Sequence, residues 1–158
     1  MIGVSTKIIV ADFTDPEVPE RIVRDLDKLK LEIGVLVNNV GMLGPHHMPF
    51  LELDHQTVVG MINVNVLAAT SLCHFLIPKM KKKGKGAIIN ISSVGAQIIA
   101  PYLAVYVATK HYMSAFTMAI AAENKNSGVE IQLVEPGGVR TTMVEYIDDV
   151  SFRSINFI

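Results

Sequence analysis

The feature that most constrains the fold is the alternation of short apolar runs with longer helical patterns. Four runs are rich in aliphatic residues and end at polar or turn-forming positions: 7–11, 34–38, 86–91 and 129–134. Helical patterns separate them, at residues 16–30, 51–83 and 103–126. Strands that alternate with helices favour a parallel sheet covered on both faces. The sequence therefore predicts an α/β fold with at least four strands.

The composition is that of one domain without disulfides or metal clusters. The chain has 158 residues, half of them apolar, which is enough for a sizeable core. A net charge of −1 gives no basic field that would indicate nucleic acid or anionic lipid. Cys73 is expected to be a small buried hydrophobe, and the histidines lack metal-ligand spacing. The chain start lacks a signal-peptide pattern, and no apolar run reaches the roughly 18 residues of a membrane span.

Polar residues follow the carboxyl ends of the predicted strands. Asp12, Asn38, Ser93 and Pro136 each lie at or just past such an end. Sites in open parallel sheets lie beyond the carboxyl ends of the strands. We therefore expect these residues to border one site.

Tyr106 and Lys110 lie four positions apart in a predicted helix and therefore share one face. Ser93 precedes Tyr106 by 13 positions (106 − 93) and follows the predicted strand 86–91. An ammonium beside a phenol favours phenolate and lowers the phenol pKa from about 10, which suits a general acid. The pair alone is a weak signal, because a solvated helix face gives the same i,i+4 pattern.

With three further motifs, this pattern resembles the short-chain dehydrogenase/reductase family along essentially the whole chain. The motifs are Asn38-Asn39-Val40-Gly41, Asn65 in a later helix, and Pro136-Gly137-Gly138-Val139-Arg140-Thr141. The resemblance implies a Rossmann-like, doubly wound parallel sheet. It also implies hydride transfer between a nicotinamide cofactor and a carbonyl or secondary alcohol.

The resemblance implies four catalytic residues. Ser93 would hydrogen-bond the substrate oxygen and Tyr106 would pass the proton. Lys110 would bind the nicotinamide ribose and depress the tyrosine pKa. Asn65 would bend its helix and hold a water molecule. Asn63 competes with Asn65, but Asn65 lies 41 positions before Tyr106 (106 − 65), which fits the family's spacing.

Cofactor contacts are implied along the same edge, at Asp12, Asn39, Gly41, Tyr106, Lys110, Pro136, Gly137, Val139 and Thr141. Asp12 would contact the adenine ring, although a turn-forming aspartate explains its position equally well. Asn38 is expected to be structural, and a strand-ending turn is the alternative for residues 136–141. The expected cofactor is NADP(H), with NAD(H) as the alternative.

Comparison with the family pattern predicts that residues 1–158 are a single partial domain, the catalytic half of the family's fold. The Gly-x-x-x-Gly-x-Gly turn that holds the pyrophosphate is absent, with the first two strands. The C-terminal end stops inside the region of the substrate lid. We therefore expect a fragment, a splice form or a truncated gene model. Residues 7–11 would then lack a partner, or pair irregularly with residues 34–38.

Within the family, residues 11–14, 33–43 and 85–93 resemble the 17β-hydroxysteroid dehydrogenase and very-long-chain 3-oxoacyl-CoA reductase group. This implies a lipid-like substrate and an endoplasmic-reticulum location, or a cytoplasmic one if the fragment stands alone. The family also implies a homodimer through the helices bearing 65–79 and 106–123. The alternative is a truncated, inactive chain that acts as a dimerisation or regulatory partner.

Overall fold

The computed structural model describes residues 3–45 and 47–137. Three parallel strands form one sheet in the order β1-β2-β3: β1 is Val35–Asn38, β2 is Gly86–Ile91 and β3 is Val129–Val134. The register places Asn38 opposite Asn90. The predicted α/β class with a parallel sheet is confirmed.

Residues 7–11 do not form the predicted strand. Ile8 and Val10 are 85% and 93% exposed, and the segment pairs with no strand among the described residues. A β-branched run has strand propensity, but a strand is stable only when a neighbour accepts its backbone hydrogen bonds. The prediction of at least four strands is therefore wrong for the described residues. The expectation that 7–11 would lack a partner is confirmed.

The first helix, α1, covers Val18–Lys28 and begins two residues after the predicted start at Pro16. Asp15 does not cap it. Its Oδ1 instead accepts a hydrogen bond from Glu17 N at 2.9 Å, which closes a turn before the helix. Pro19, rather than Pro16, occupies the first helical turn, where a missing N–H costs nothing.

The predicted helical stretch 51–83 forms two α-helices joined by a π-helical turn. The first, α2, covers His55–Ile62, the π turn covers Asn63–Leu67, and α3 covers Ala68–Lys83. Asp54 caps α2 by accepting a hydrogen bond from Thr57 N at 2.8 Å.

The hydrophobic core lies between one face of the sheet and the helices. Cys73 and Met80 of α3 are each 1% exposed, and Ile88 of β2 is fully buried. The last described helix, α4, covers Ala104–Glu123 and packs Phe116 against the same cluster.

The buried side chain of Cys73 behaves as the sequence predicts for a small hydrophobe. Burial raises the pKa of its thiol to about 11, which keeps the thiol protonated. The helical stretch His55–Lys83 is long and apolar enough to cross a membrane by length and composition. In this fold, its α3 half supplies core side chains such as Leu72 and Leu76.

The opposite face of the sheet is open within the described residues. Val35 and Val37 are 59% and 53% exposed, whereas Leu36 between them packs into the core. Successive side chains of a strand point to opposite faces, so this difference separates a covered face from an open one. The predicted cover on both faces is therefore seen on one face only in the described part of the chain.

Gly128 brings the turn after α4 against Gly84 and Gly86 at the start of β2. Gly128 has a φ of +80°, and a Cβ on it would lie 2.3 Å from the carbonyl oxygen of Gly84. Gly86 N donates a hydrogen bond to Gly128 O at 3.1 Å. This close backbone approach fixes the amino ends of β2 and β3 side by side.

Candidate active site

The segments that follow β2 and β3 are joined at the carboxyl edge of the sheet. Ser92 N donates to Val134 O at 2.8 Å, and Val94 N donates to Pro136 O at 3.0 Å. Ser93 and Pro136 therefore lie beside each other, as their positions after neighbouring strands predict.

The helix α4 places Tyr106 and Lys110 on one face. Nζ of Lys110 lies 5.8 Å from the centroid of the Tyr106 ring. Lys110 is only 6% exposed, and its ammonium donates to Ile91 O at 3.2 Å. Burial lowers the pKa of Lys110, because the charged form loses its water. The alternative from the sequence, a solvated helix face, does not apply to Lys110, because its side chain is buried.

Ser93 lies close to the Tyr106 ring, across Gly95. The Oγ of Ser93 accepts a hydrogen bond from Gly95 N at 3.0 Å. A Cβ on Gly95 would lie 3.3 Å from that Oγ and 3.9 Å from Cε1 of Tyr106. The structure thus brings together the serine, the tyrosine and the lysine that the sequence singled out.

Asn65 joins the loop after β1 to α4. Its Oδ1 accepts from Met42 N at 2.7 Å, and its Nδ2 donates to Met42 O at 2.8 Å and to Thr109 Oγ1 at 3.0 Å. A Cβ on Gly41 would lie 3.6 Å from Asn65 Oδ1 and 3.7 Å from Lys110 Nζ. Asn65 Oδ1 and the lysine ammonium therefore both approach Gly41.

Asn63, the competing asparagine, faces elsewhere. Its Nδ2 donates to Thr14 O at 2.8 Å, in the loop before α1. The geometry thus separates the two candidates, and the one that spacing favoured lies near Lys110.

A second hydrogen-bond network, which sequence reasoning missed, holds the backbone of Lys110. Ser92 Oγ donates to Lys110 O at 2.9 Å and lies 2.8 Å from Ser114 Oγ. Ser114 Oγ donates to Glu135 Oε1 at 2.6 Å. One available signal was the position of Ser114, four residues after Lys110 and so on the same helix face.

Asn38 belongs to a buried amide network. Its Nδ2 donates to Asn90 Oδ1 at 2.8 Å, and Asn90 Nδ2 donates to Thr117 Oγ1 at 3.0 Å. These bonds tie β1 and β2 to α4, in agreement with the structural role expected for Asn38.

The remaining predicted cofactor residues are less tightly held. Asp12 Oδ1 accepts from Thr14 N at 2.9 Å and from Thr14 Oγ1 at 2.8 Å, and these bonds lower the pKa of Asp12. This is the turn that the alternative interpretation predicts. Asn39 and Gly137 are exposed. Val139 and Thr141 lie outside the described residues.

The surroundings of Lys110 suit the hydroxyl groups of a nucleotide ribose. An ammonium has three N–H donors, and among the described residues one of them is used, by the bond to Ile91 O. Gly41 has no side chain to cover the ammonium, since a Cβ there would lie 3.7 Å from Nζ. In the described part of the chain, no three His, Cys, Asp or Glu side chains converge to hold a metal.

The chain is similar to known dehydrogenases over most of its length. A family model described as short chain dehydrogenase matches residues 1–150. The 17-beta-hydroxysteroid dehydrogenase type 3 of Danio rerio is 34% identical, over 99% of this chain and 52% of that protein. The very-long-chain 3-oxoacyl-CoA reductase of Anas platyrhynchos is 38% identical, over 89% and 46%. A Homo sapiens protein named inactive hydroxysteroid dehydrogenase-like protein 1 is 37% identical, over 89% and 42%.

The chain spans about half the length of these relatives.

Among solved structures, a 4-hydroxyisoleucine dehydrogenase mutant complexed with NADH and succinate has a TM-score of 0.83 at 28% identity, over 90% of this chain and 58% of that one. ElxO with bound NADP has a TM-score of 0.73 at 32% identity, over 87% and 56%. These likenesses confirm the predicted Rossmann-like fold.

Proposed function

Because the chain belongs to the short-chain dehydrogenase family, we propose that it forms the catalytic half of a nicotinamide-dependent oxidoreductase. The reaction interconverts a carbonyl and a secondary alcohol. One observation carries the proposal: Ser93, Tyr106 and the buried ammonium of Lys110 lie close together at the carboxyl edge of the sheet.

Ser93 and Tyr106 are proposed to act on the substrate oxygen. Ser93 Oγ accepts from Gly95 N, so its own proton is available for a hydrogen bond to a carbonyl oxygen. A reduced nicotinamide, when bound, supplies hydride. As the carbonyl oxygen gains charge, the phenol of Tyr106 gives it a proton and the alcohol forms. The ammonium of Lys110 stabilises the phenolate that remains.

Lys110 is proposed to bind the ribose hydroxyls with the donors that the described residues leave unused. Asn65 is proposed to hold a water molecule near the ammonium, because its Oδ1 lies on the same side of Gly41. We propose NADP(H) as the cofactor. Its other contacts would come from Asp12, Asn39, Gly41, Pro136, Gly137, Val139 and Thr141.

The proposed substrate is lipid-like, a steroid or a 3-oxoacyl-CoA. The names of two relatives support this class. In the segment that joins Ser93 to Tyr106 along the chain, the side chains of Ile98, Ile99 and Tyr102 are 55%, 94% and 58% exposed and offer apolar surface. We also propose an endoplasmic-reticulum location, which rests on the resemblance of residues 11–14, 33–43 and 85–93 to the 17β-hydroxysteroid dehydrogenase and very-long-chain 3-oxoacyl-CoA reductase group.

A second candidate function is that of an inactive partner that dimerises with a longer relative. One relative of similar identity is named inactive, and the chain spans about half the length of its relatives. Tyr112 and Met118 of α4 are 40% and 59% exposed, which leaves apolar surface for such a partner.

The deciding experiment measures NADPH binding and carbonyl reduction by the purified chain. Fluorescence titration gives the binding, and assays with a steroid ketone and a 3-oxoacyl-CoA give the turnover. Tyr106→Phe is the matched control, because it removes one hydroxyl. Turnover that depends on this hydroxyl supports the enzyme. A chain that binds no NADPH but forms dimers supports the second candidate.

A further inference from the structure

Positive charge is concentrated at the amino ends of the strands, away from the candidate active site. Segments 26–33 and 76–85 hold seven lysines against two acidic residues, a charge of +5, although the chain as a whole carries −1. Ion pairs of Asp27 with Lys79 and of Glu32 with Lys83 join the two segments. We call these two segments the lysine face. The fold thus creates a basic surface that net charge alone does not indicate.

Four lysines of this face form no ion pair with any residue that the structure describes: Lys30, Lys81, Lys82 and Lys85. The negative end of the α3 dipole favours cations in its last turn, which explains part of the clustering. It does not explain Lys85, which lies beyond the helix end at Gly84.

A cavity of about 400 Å³ opens within the lysine face. Its apolar lining comes from Leu26, Leu31, Ile33 and Leu76. Its charged lining comes from Lys82 and from the two ion pairs of Asp27 with Lys79 and of Glu32 with Lys83. Leu31 is 46% exposed, and the nearby Leu29 is 44% exposed. The surface is therefore both cationic and apolar.

We propose that the lysine face docks on an anionic lipid bilayer. The ammonium groups would contact lipid headgroups while Leu29 and Leu31 enter the headgroup boundary, as in other amphipathic interfacial surfaces. Each lysine near an anionic membrane strengthens binding about fivefold.

Two observations favour a bilayer over other anions. The lysine face contains no aromatic residue on which a nucleic-acid base could stack. The helix ends here are carboxyl ends, which present carbonyl oxygens and do not bind a single phosphate as an amino end would. A diffuse negative surface fits this arrangement better than one discrete anion.

Docking in this orientation leaves the candidate active site uncovered. The strand β2 starts at Gly86, directly after the lysine face, and ends at Ile91, close to Ser93. Its six residues separate the two surfaces by about 17 Å.

The test is co-sedimentation of the full chain with two kinds of vesicle: phosphatidylcholine alone, and phosphatidylcholine mixed equally with phosphatidylserine. The variant Lys81→Gln/Lys82→Gln/Lys85→Gln leaves both cross-segment ion pairs intact. The control Lys7→Gln/Arg21→Gln/Arg24→Gln removes three cations elsewhere, and both variants carry −4 instead of −1 (−1 − 3). Thermal melts verify that both fold like the parent.

The parent is expected to bind the anionic vesicles, with affinity that falls as salt rises. The lysine variant should bind about a hundredfold more weakly, and the control should keep most of the affinity. Leu31→Gln should weaken binding without changing its salt dependence. The proposal is overturned if neutral vesicles bind equally well or if both triple variants lose affinity alike. It is also overturned if the chain prefers a DNA oligonucleotide to the vesicles.

Discussion

The side-chain amide of Asn65 donates a hydrogen bond to Thr109 Oγ1 at 3.0 Å, which joins the π turn to α4 at the residue before Lys110. The same amide binds the N–H and the carbonyl of Met42. One side chain, 3% exposed, therefore holds three parts of the candidate site together.

Asn65→Ala should destabilise the chain by about 1–3 kcal/mol, because it leaves the partly buried backbone groups of Met42 without partners. Asn63→Ala is the matched control in the same π turn, because the side-chain hydrogen bond of Asn63, to Thr14 O, is exposed to solvent. We expect it to cost less than about 1 kcal/mol. Urea denaturation of both variants measures the difference. Equal losses in the free energy of unfolding would contradict the joining role described for Asn65.

Tyr106→Phe should abolish most carbonyl reduction in a chain that binds cofactor, whether this one or a longer form. General acid catalysis is typically worth about a hundred- to ten-thousandfold, and one hydroxyl contributes little to folding. NADPH affinity should change little. Steady-state kinetics check the prediction. If Tyr106→Phe keeps more than about a tenth of the parent rate, Tyr106 is not the proton donor.

Lys110 should give the chain a pH-dependent stability of defined sign. Burial lowers the pKa of Lys110 below its ordinary 10.5, so between the two values the unfolded chain binds more protons than the folded chain. The free energy of unfolding should therefore rise as pH increases through the folded-state pKa, and level off above 10.5.

Lys110→Met should remove this rise, whereas the exposed Lys125→Met should keep it. Urea denaturation at several pH values between neutral and about 10 measures it. If the free energies of unfolding of the parent and of Lys110→Met differ by a constant amount across that pH range, burial does not destabilise the charged ammonium.

Gly128→Ala should be far more destabilising than Gly84→Ala. Both glycines have positive φ, so each substitution costs about 1 kcal/mol of backbone strain. At Gly128 the new Cβ would also lie 2.3 Å from Gly84 O, whereas at Gly84 it would meet nothing within 4 Å. Thermal melting of both variants tests this, and similar losses would mean that the two backbones are not in close contact.

The outer edge of β1 should promote self-association. Within the described residues, β1 pairs with β2 on one side only, and Val37 is 53% exposed. An unpaired edge next to exposed apolar side chains recruits further strands, and a lysine there opposes it. Val37→Lys should reduce association, and Val4→Lys, in the unpaired N-terminal segment, should not. Sedimentation at increasing concentration measures this, and a sharply cooperative, monomeric parent would refute it.

The sequence predicted what depends on local pattern. The strands at 86–91 and 129–134 and the helix bearing Tyr106 follow from apolar runs and helical spacing alone. The apolar run at 7–11 misled for a physical reason: propensity is local, but a strand also needs a neighbour.

The contact of Ser114 with Glu135 beneath Lys110 could not be derived from the sequence. Ser114 and Glu135 lie 21 positions apart, and their 2.6 Å contact depends on how α4 packs on β3. By contrast, Tyr106 and Lys110 were predicted together, because four residues of helix fix their relative direction without any tertiary contact.

The π turn at Asn63–Leu67 has a consequence for the long helix that contains it. A π turn accommodates one residue more than an α turn, and each helical residue advances the direction of its side chain by about 100°. The extra residue therefore resets the phase between α2 and α3. Deleting one residue here would yield a continuous α-helix one residue shorter, in which Asn65 and the core leucines of α3 could no longer both face their present partners.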